Sequence, residues 1–226
     1  MTIRDNLQTI GERIRAAEQR FGRSPHSVQL LAVSKKHPVA ALQEAFNAGQ
    51  HRFGENYAQE LVDKAQALAT SRIEWHFIGP IQANKTKLIA TTARWVHSVD
   101  SLRIAERLSR QKPVELPDLN VCLQVNISGE ASKSGITPAQ LPALAAQVVS
   151  LPGLRLRGLM AIPAPESDFN RQRAVFAQLR RLQEDLLAQG FALDTLSMGM
   201  SDDLEAAIAE GATIVRIGTA IFGARG

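Results

Sequence analysis

The chain has 226 residues, 45% of them hydrophobic, which is enough for one large domain around one core. Its formal charge of +4 comes from basic and acidic residues scattered among one another, so nucleic acid is not the default partner, and the small basic surplus suits an anionic small molecule. MTIRDNLQTIGERIRAAEQRF lacks the apolar core of a secretion signal, no stretch is apolar enough to span a bilayer, and the lone Cys122 has no internal partner, which predicts a cytoplasmic protein.

Ile3, Leu7, Ile10, Ile14 and Ala17 recur at steps of four and three, which predicts an amphipathic packing helix at the N-terminus. Beyond it, short β-type runs alternate with helical ones. Strands are predicted at 28–35, 52–57, 73–79, 95–100, 121–127, 154–162, 195–200 and 214–222. Helices are predicted at 39–48, 59–69, 101–111, 138–149, 170–189 and 202–210, with Gly49, Gly190 and Gly211 suited to a left-handed position after the last turn. The connection at 84–91 carries the weakest pattern. Eight such units favour a (β/α)₈ TIM barrel over an open doubly wound sheet, as one domain spanning 1–226. With no helix predicted after the eighth strand, the additional N-terminal helix is expected to cover the face left open.

In LLAVSKKHP, alternation puts Leu31, Val33 and Lys35 on one face. A lysine aimed into a barrel mouth loses hydration, which lowers its pKa and favours the neutral amine that attacks an aldehyde. The plainer alternative is that Lys35 and Lys36 cap a strand end at the surface. Near the C-terminus, LSMGMSDDLEAAIAEG and VRIGTAIFGARG bring Ser201, Gly218 and Thr219 to the loops after strands seven and eight, where barrels commonly dock a phosphate. Ser201 is also a candidate N-cap, with Asp202 and Asp203 expected to face outward, and simple capping with Gly218 serving turn geometry is the competing reading. Arg216 alternates into the barrel and needs an acceptor, either a carboxylate such as Glu55 or a pyridine nitrogen.

Asn56, Tyr57, His76, Asn84, Lys85, Ser98 and Asn126 sit at strand ends, and taken singly each reads as a satisfied structural group. His76 is the first candidate acid or base among them. No metal-ligand spacing and no Ser-His-Asp order occurs, and Met160, Met198 and Met200 are expected to pack the barrel interior or a cofactor face.

The segments LLAVSK, RFGENYAQE, EWHFIGPIQANK, VHSVD, QVNISGEASKSG, RGLMAI and LSMGMSDDLEAAIAEGATIVRIGTAIFGAR together resemble the pyridoxal phosphate homeostasis proteins, a single-barrel family related to the N-terminal domain of alanine racemase. The resemblance implies that Lys35 holds pyridoxal 5′-phosphate as a Schiff base, that Ser201, Gly218 and Thr219 contact its phosphate, that Arg216 approaches the pyridine nitrogen, and that Asn56 lies nearby. It implies a monomeric carrier or regulator of the vitamin B6 pool, with pyridoxal-phosphate-dependent apoenzymes as recipients and no catalytic residue assigned. Ile81, where the family often shows leucine, and the Lys36-His37 pair are minor departures. A low-activity amino-acid racemase is the alternative. It is disfavoured because the second base of alanine racemase belongs to a domain absent here, Tyr57 is poorly placed to replace it, and an arginine at the pyridine nitrogen weakens the ring as an electron sink. A Schiff-base aldolase acting on a sugar phosphate is a third reading, weakened by the lysine's place on strand one.

Overall fold

The computed structural model describes residues 2–130 and 134–223, so residues 131–133 of the QVNISGEASKSG segment lie outside the described residues. Among these, eight parallel strands close into a barrel in sequence order: β1 Gln29–Val33, β2 Arg52–Glu55, β3 Glu74–Phe77, β4 Trp95–Val99, β5 Leu119–Gln124, β6 Leu154–Met160, β7 Thr195–Ser197 and β8 Ile214–Ile217. β8 pairs back onto β1, with Leu31 opposite Arg216 and Ala32 opposite Ile217. The barrel forms in place of an open sheet, as the sequence favours, because every strand finds two neighbours and no edge is left.

The helices are α1 Ile3–Arg20, α2 Val39–Asn47, α3 Ala58–Ala67, α4 Thr86–Thr92, α5 Leu102–Gln111, α6 Leu141–Val149, α7 Phe169–Ala188, α8 Leu204–Ala209 and α9 Thr219–Phe222. A 3₁₀ turn at Ala83–Lys85 leads into α4, which resolves the weakly patterned third connection. Gly49, Gly190 and Gly211 adopt φ of 99°, 91° and 98°, the left-handed conformation that ends a helix.

Two expectations are corrected. The eighth strand stops at Ile217 instead of running to 222, and a helix does follow it, since Thr219–Phe222 turn into the short α9. A short apolar run such as TAIF fits strand and helix equally well, and Gly218, at φ −117° and ψ −76°, breaks the extended path. α1 nevertheless covers the predicted gap, packing against α2, α8 and α9. It is started by a capping box between Thr2 and Asp5 and tied across the chain by Asn6 Nδ2 donating to the Ile221 carbonyl at 2.8 Å. No described helix is long and apolar enough to cross a membrane.

Side chains on the outer face of the strands form one large apolar layer beneath the helices. The bore is different. Leu31, Val33, Ile78 and Ile214 make one apolar cluster there, and Trp95, Cys122 and Met160 another. His76 and His97, both fully buried, lie against Trp95. Trp95 is sandwiched between the His76 ring, 5.7 Å away and nearly parallel, and the Arg157 guanidinium, 4.8 Å away.

Gly79, just beyond β3, is demanded by close approach: a Cβ there would lie 2.1 Å from the Asn56 carbonyl oxygen. Gly79→Ala should therefore cost about 3 kcal/mol or more in urea unfolding. Gly11→Ala, inside α1 with only the Arg15 side chain at 3.4 Å, should stabilise by about 0.5–1 kcal/mol. Burial holds His76 below the ordinary imidazole value and His97 well below it, so both are neutral in the fold. The unfolded chain takes up protons as pH falls below about 6.5 while the folded one does so only at lower pH, so stability is full above that value and declines as pH falls through it. Urea midpoints measured at about pH 7.5 and about pH 5.5 should show this decline, and His97→Gln should flatten it.

Candidate functional site

A cavity of about 500 Å³ opens at the C-terminal ends of the strands, lined by Lys35, Asn56, Ser201, Arg216, Gly218 and Thr219, with Val33, Ile78, Ile162 and Met200 as apolar walls. All six site residues singled out in the sequence thus meet in one place. This volume lies within the range of small-molecule sites.

Lys35 follows β1 by two residues, and Val33 beneath it faces the same cavity, so the period-two alternation carries past the strand end. The backbone on either side of it is clamped. Glu55, at the end of β2 and fully buried, accepts from Ser34 Oγ at 2.6 Å and from Lys64 Nζ at 2.8 Å. Lys64 Nζ also donates to the Ser34 carbonyl and to Glu60, each at 2.7 Å, and Glu60 accepts the backbone N–H of Lys36 at 2.6 Å. Lys36 itself sits at φ 63°, a left-handed conformation unusual for a residue with a side chain. Burial pushes the Glu55 carboxyl up, and Lys64 pulls it back. Lys64 and Glu60 carry no signal in the sequence, since their partners come from other elements.

The guanidinium of Arg216 is buried beneath the cavity. Nη1 donates to Ser197 Oγ at 2.7 Å and Nη2 to the Ala161 carbonyl at 2.9 Å. Glu55 is committed to Lys64, so the carboxylate pairing open to Arg216 in the sequence does not form. Burial pulls the Arg216 pKa down to about 10, while the charge of nearby Asp203 partly restores it.

On the β7–α8 loop, Gly199 adopts φ +96°, and the Met200 N–H donates to Asp203 Oδ1 at 2.5 Å. Asp203, not Ser201, occupies the N-cap of α8, and its side chain makes no capping bond there. Nor does Asp203 simply face outward: burial raises its carboxyl pKa, and it bonds back to the loop. Asp202 is exposed yet lines the cavity rim. Arg13 of α1 steadies this loop by donating to the Ser201 carbonyl at 3.1 Å and pairing with Glu205 at 3.0 Å.

His76 does not reach the cavity. It lies one layer deeper, hydrogen-bonded to His97 Nε2 at 2.8 Å and Glu74 at 3.1 Å. Ser98 Oγ is satisfied by the Gly79 carbonyl at 2.6 Å, and Asn126 closes a turn through Gly129 N and the Glu130 carbonyl. Tyr57 is 52% exposed and borders, with Lys85 and Gln82, a separate cavity of about 330 Å³ that shares only Asn56 with the first. Met160 packs in the bore, Met198 in the outer layer, and Met200 on the cavity wall.

Asn56, which borders both cavities, holds its Oδ1 buried without a hydrogen-bond partner. Together these groups offer an amine, a buried cation, hydroxyls and a glycine corner around an apolar slot.

Residues 6–226 match the alanine racemase N-terminal domain family. The chain is 62% identical to the pyridoxal phosphate homeostasis protein of Pseudomonas aeruginosa, over 99% of this chain and 96% of that protein, and 57% identical to that of Escherichia coli, over 99% of this chain and 97% of that protein. Among solved structures, PipY of Synechococcus elongatus with pyridoxal phosphate bound superposes with a TM-score of 0.82 at 42% identity, covering 95% of this chain and all of that one. An alanine racemase from Corynebacterium glutamicum, at 16% identity and a TM-score of 0.69, shares the fold, and this chain spans 61% of it. By extent and identity, the chain belongs to the pyridoxal phosphate homeostasis protein family, built on the alanine racemase N-terminal domain.

Proposed function

We propose that this protein binds pyridoxal 5′-phosphate as a Schiff base on Lys35 and buffers or delivers it, without significant turnover, to pyridoxal-phosphate-dependent apoenzymes. The observation that carries this reading is the buried Arg216 cation beneath the cavity that Lys35 lines, hydrogen-bonded to the neutral Ser197 hydroxyl and Ala161 carbonyl, with only the through-space influence of the Asp203 charge to offset it. A buried charge with no carboxylate in contact is costly, and a ligand that supplies lone pairs or negative charge relieves that cost. A pyridine nitrogen meets that need without demanding a proton. The residues fit the rest of the cofactor as well: Ser201 and Thr219 offer hydroxyls, Gly218 a bare backbone, and Val33, Ile78, Ile162 and Met200 an apolar slot for a ring.

When bound, the cofactor supplies an aldehyde and an aromatic ring able to withdraw electrons. Around it, the chain's own residues bind and orient. Arg216, a permanent donor, leaves the ring nitrogen unprotonated and so limits that withdrawal, which suits storage more than carbanion chemistry. Tyr57 borders the neighbouring cavity and does not line this one, so it is not positioned as a second base. The relatives carry the name homeostasis protein, not that of an enzyme.

Purified protein incubated with pyridoxal phosphate should turn yellow, lose the band on borohydride treatment, and yield a Lys35 peptide heavier by the reduced adduct. An unmodified Lys35 peptide after reduction would sink the covalent assignment. Lys35→Ala should abolish the adduct while leaving weaker, non-covalent binding through the phosphate contacts, measurable by calorimetry. Deuterium wash-in at the α-carbon of amino acids should not exceed that of free cofactor; exchange well above it would establish an enzyme.

A further inference from the structure

A continuous buried chain of polar groups crosses the bore from β8 to β3. Arg216 Nη1 lies 2.7 Å from Ser197 Oγ, which lies 2.7 Å from His97 Nδ1; His97 Nε2 lies 2.8 Å from His76 Nδ1, and His76 Nε2 lies 3.1 Å from Glu74 Oε1. Ser197, His97 and His76 are fully buried, whereas Glu74 is half-exposed at the other end of the barrel, where Arg52 Nε also reaches it at 3.3 Å.

The two ends dictate the polarity. A guanidinium only donates, and an ionised carboxylate only accepts. Ser197 Oγ therefore accepts from Arg216 and donates its own proton to His97 Nδ1. His97 must then carry its proton on Nε2 and donate to His76 Nδ1, and His76 must carry its proton on Nε2 and donate to Glu74. Reversing the order would turn the His76 Nε2 lone pair onto a carboxylate and leave the Ser197 hydroxyl proton without its acceptor. The hydrogen bond from His76 holds Glu74 below the usual carboxylate range, in keeping with an ionised terminus. Aligned bonds in a low-dielectric interior polarise one another, so the Glu74 charge is felt along the chain.

We propose that Ser197, His97, His76 and Glu74 form a one-directional hydrogen-bond relay that orients the Arg216 guanidinium, making them positioning residues that link the cavity at the barrel mouth to a carboxylate at its opposite end. As far as it concerns the cofactor, this rests on the function proposed above; as far as it concerns proton positions, it stands on the apo chain.

Glu74→Gln is the informative variant, because its amide can donate as well as accept and so removes the constraint on direction while its exposed end preserves folding. Nitrogen-15 NMR of the apo protein labelled at histidine and arginine should show, in the parent, one tautomer for both His76 and His97, protonated at Nε2 and bare at Nδ1. In Glu74→Gln it should show a mixture of tautomers and shifted Arg216 guanidinium signals, with an unchanged thermal midpoint apart from the lost Arg52 contact. Nδ1-protonated histidines in the parent, or Arg216 signals indifferent to Glu74→Gln, would overturn the relay. With pyridoxal phosphate, Glu74→Gln should shift the visible band and weaken binding by roughly fivefold, the low end of coupling between linked sites. An unchanged band and affinity in a variant that still takes up cofactor would refute the link to the mouth. Failure of the parent to take up cofactor at all would overturn the proposed function, while the NMR spectra of the apo protein would still decide the relay.

Discussion

The buried Glu55 carboxylate fixes the geometry on which everything at the mouth depends. One oxygen gathers the Ser34 hydroxyl and the Lys64 ammonium, and Lys64 in turn binds the Ser34 carbonyl and Glu60. The effect is to lock the backbone on both sides of Lys35 to strand β2 and helix α3. Removing one member of a buried pair leaves the other charge uncompensated, at a cost of about 3–5 kcal/mol. A reactive amine on a flexible stem thereby starts from a rigid base, which is how a loop residue acquires the positional accuracy of a scaffold residue. The strained Lys36 backbone is held by the same cluster through Glu60.

The bore shows how much polarity a barrel interior tolerates when each group is matched. The histidine pair shares the bore with two apolar clusters, and both rings lie against Trp95, whose other neighbour is the Arg157 guanidinium gripped by Asp194 and Asn120. Within that sleeve an isolated imidazole would be a liability. Two in series, joined to a serine and a carboxylate, complete one another's valences.

Much of this is readable from residue order. Lys35, Arg216, Ser201, Gly218 and Thr219 are legible because each stands at or beyond a strand end, where alternation and barrel architecture together say which way a side chain points. His76 lies one layer deeper than its sequence pattern suggests, because that pattern extends the strand over 73–79, whereas β3 is Glu74–Phe77 and Ile78 is the residue that reaches the cavity. Ser201 looks like a cap because small hydroxyl residues before an apolar run usually are; here the turn extends to Asp203 before the helix begins. Lys64, His97 and Ser197 give no sign for a different reason. Their meaning lies in partners brought from other strands and helices, and linear spacing holds no trace of who faces whom across a closed bore.

The first helix covers the face that the short α9 leaves open, and through Arg13 it touches the loop bearing Ser201. Its seat joins α2, the next helix in order, to α8 and α9, where the Ile221 carbonyl that accepts from Asn6 stands 215 residues away, so docking α1 is a long-range event. Until α8 and α9 are in place the apolar stripe of α1 stays partly bare, and the order of the loop bearing Ser201 is coupled to a docking step between segments remote in sequence.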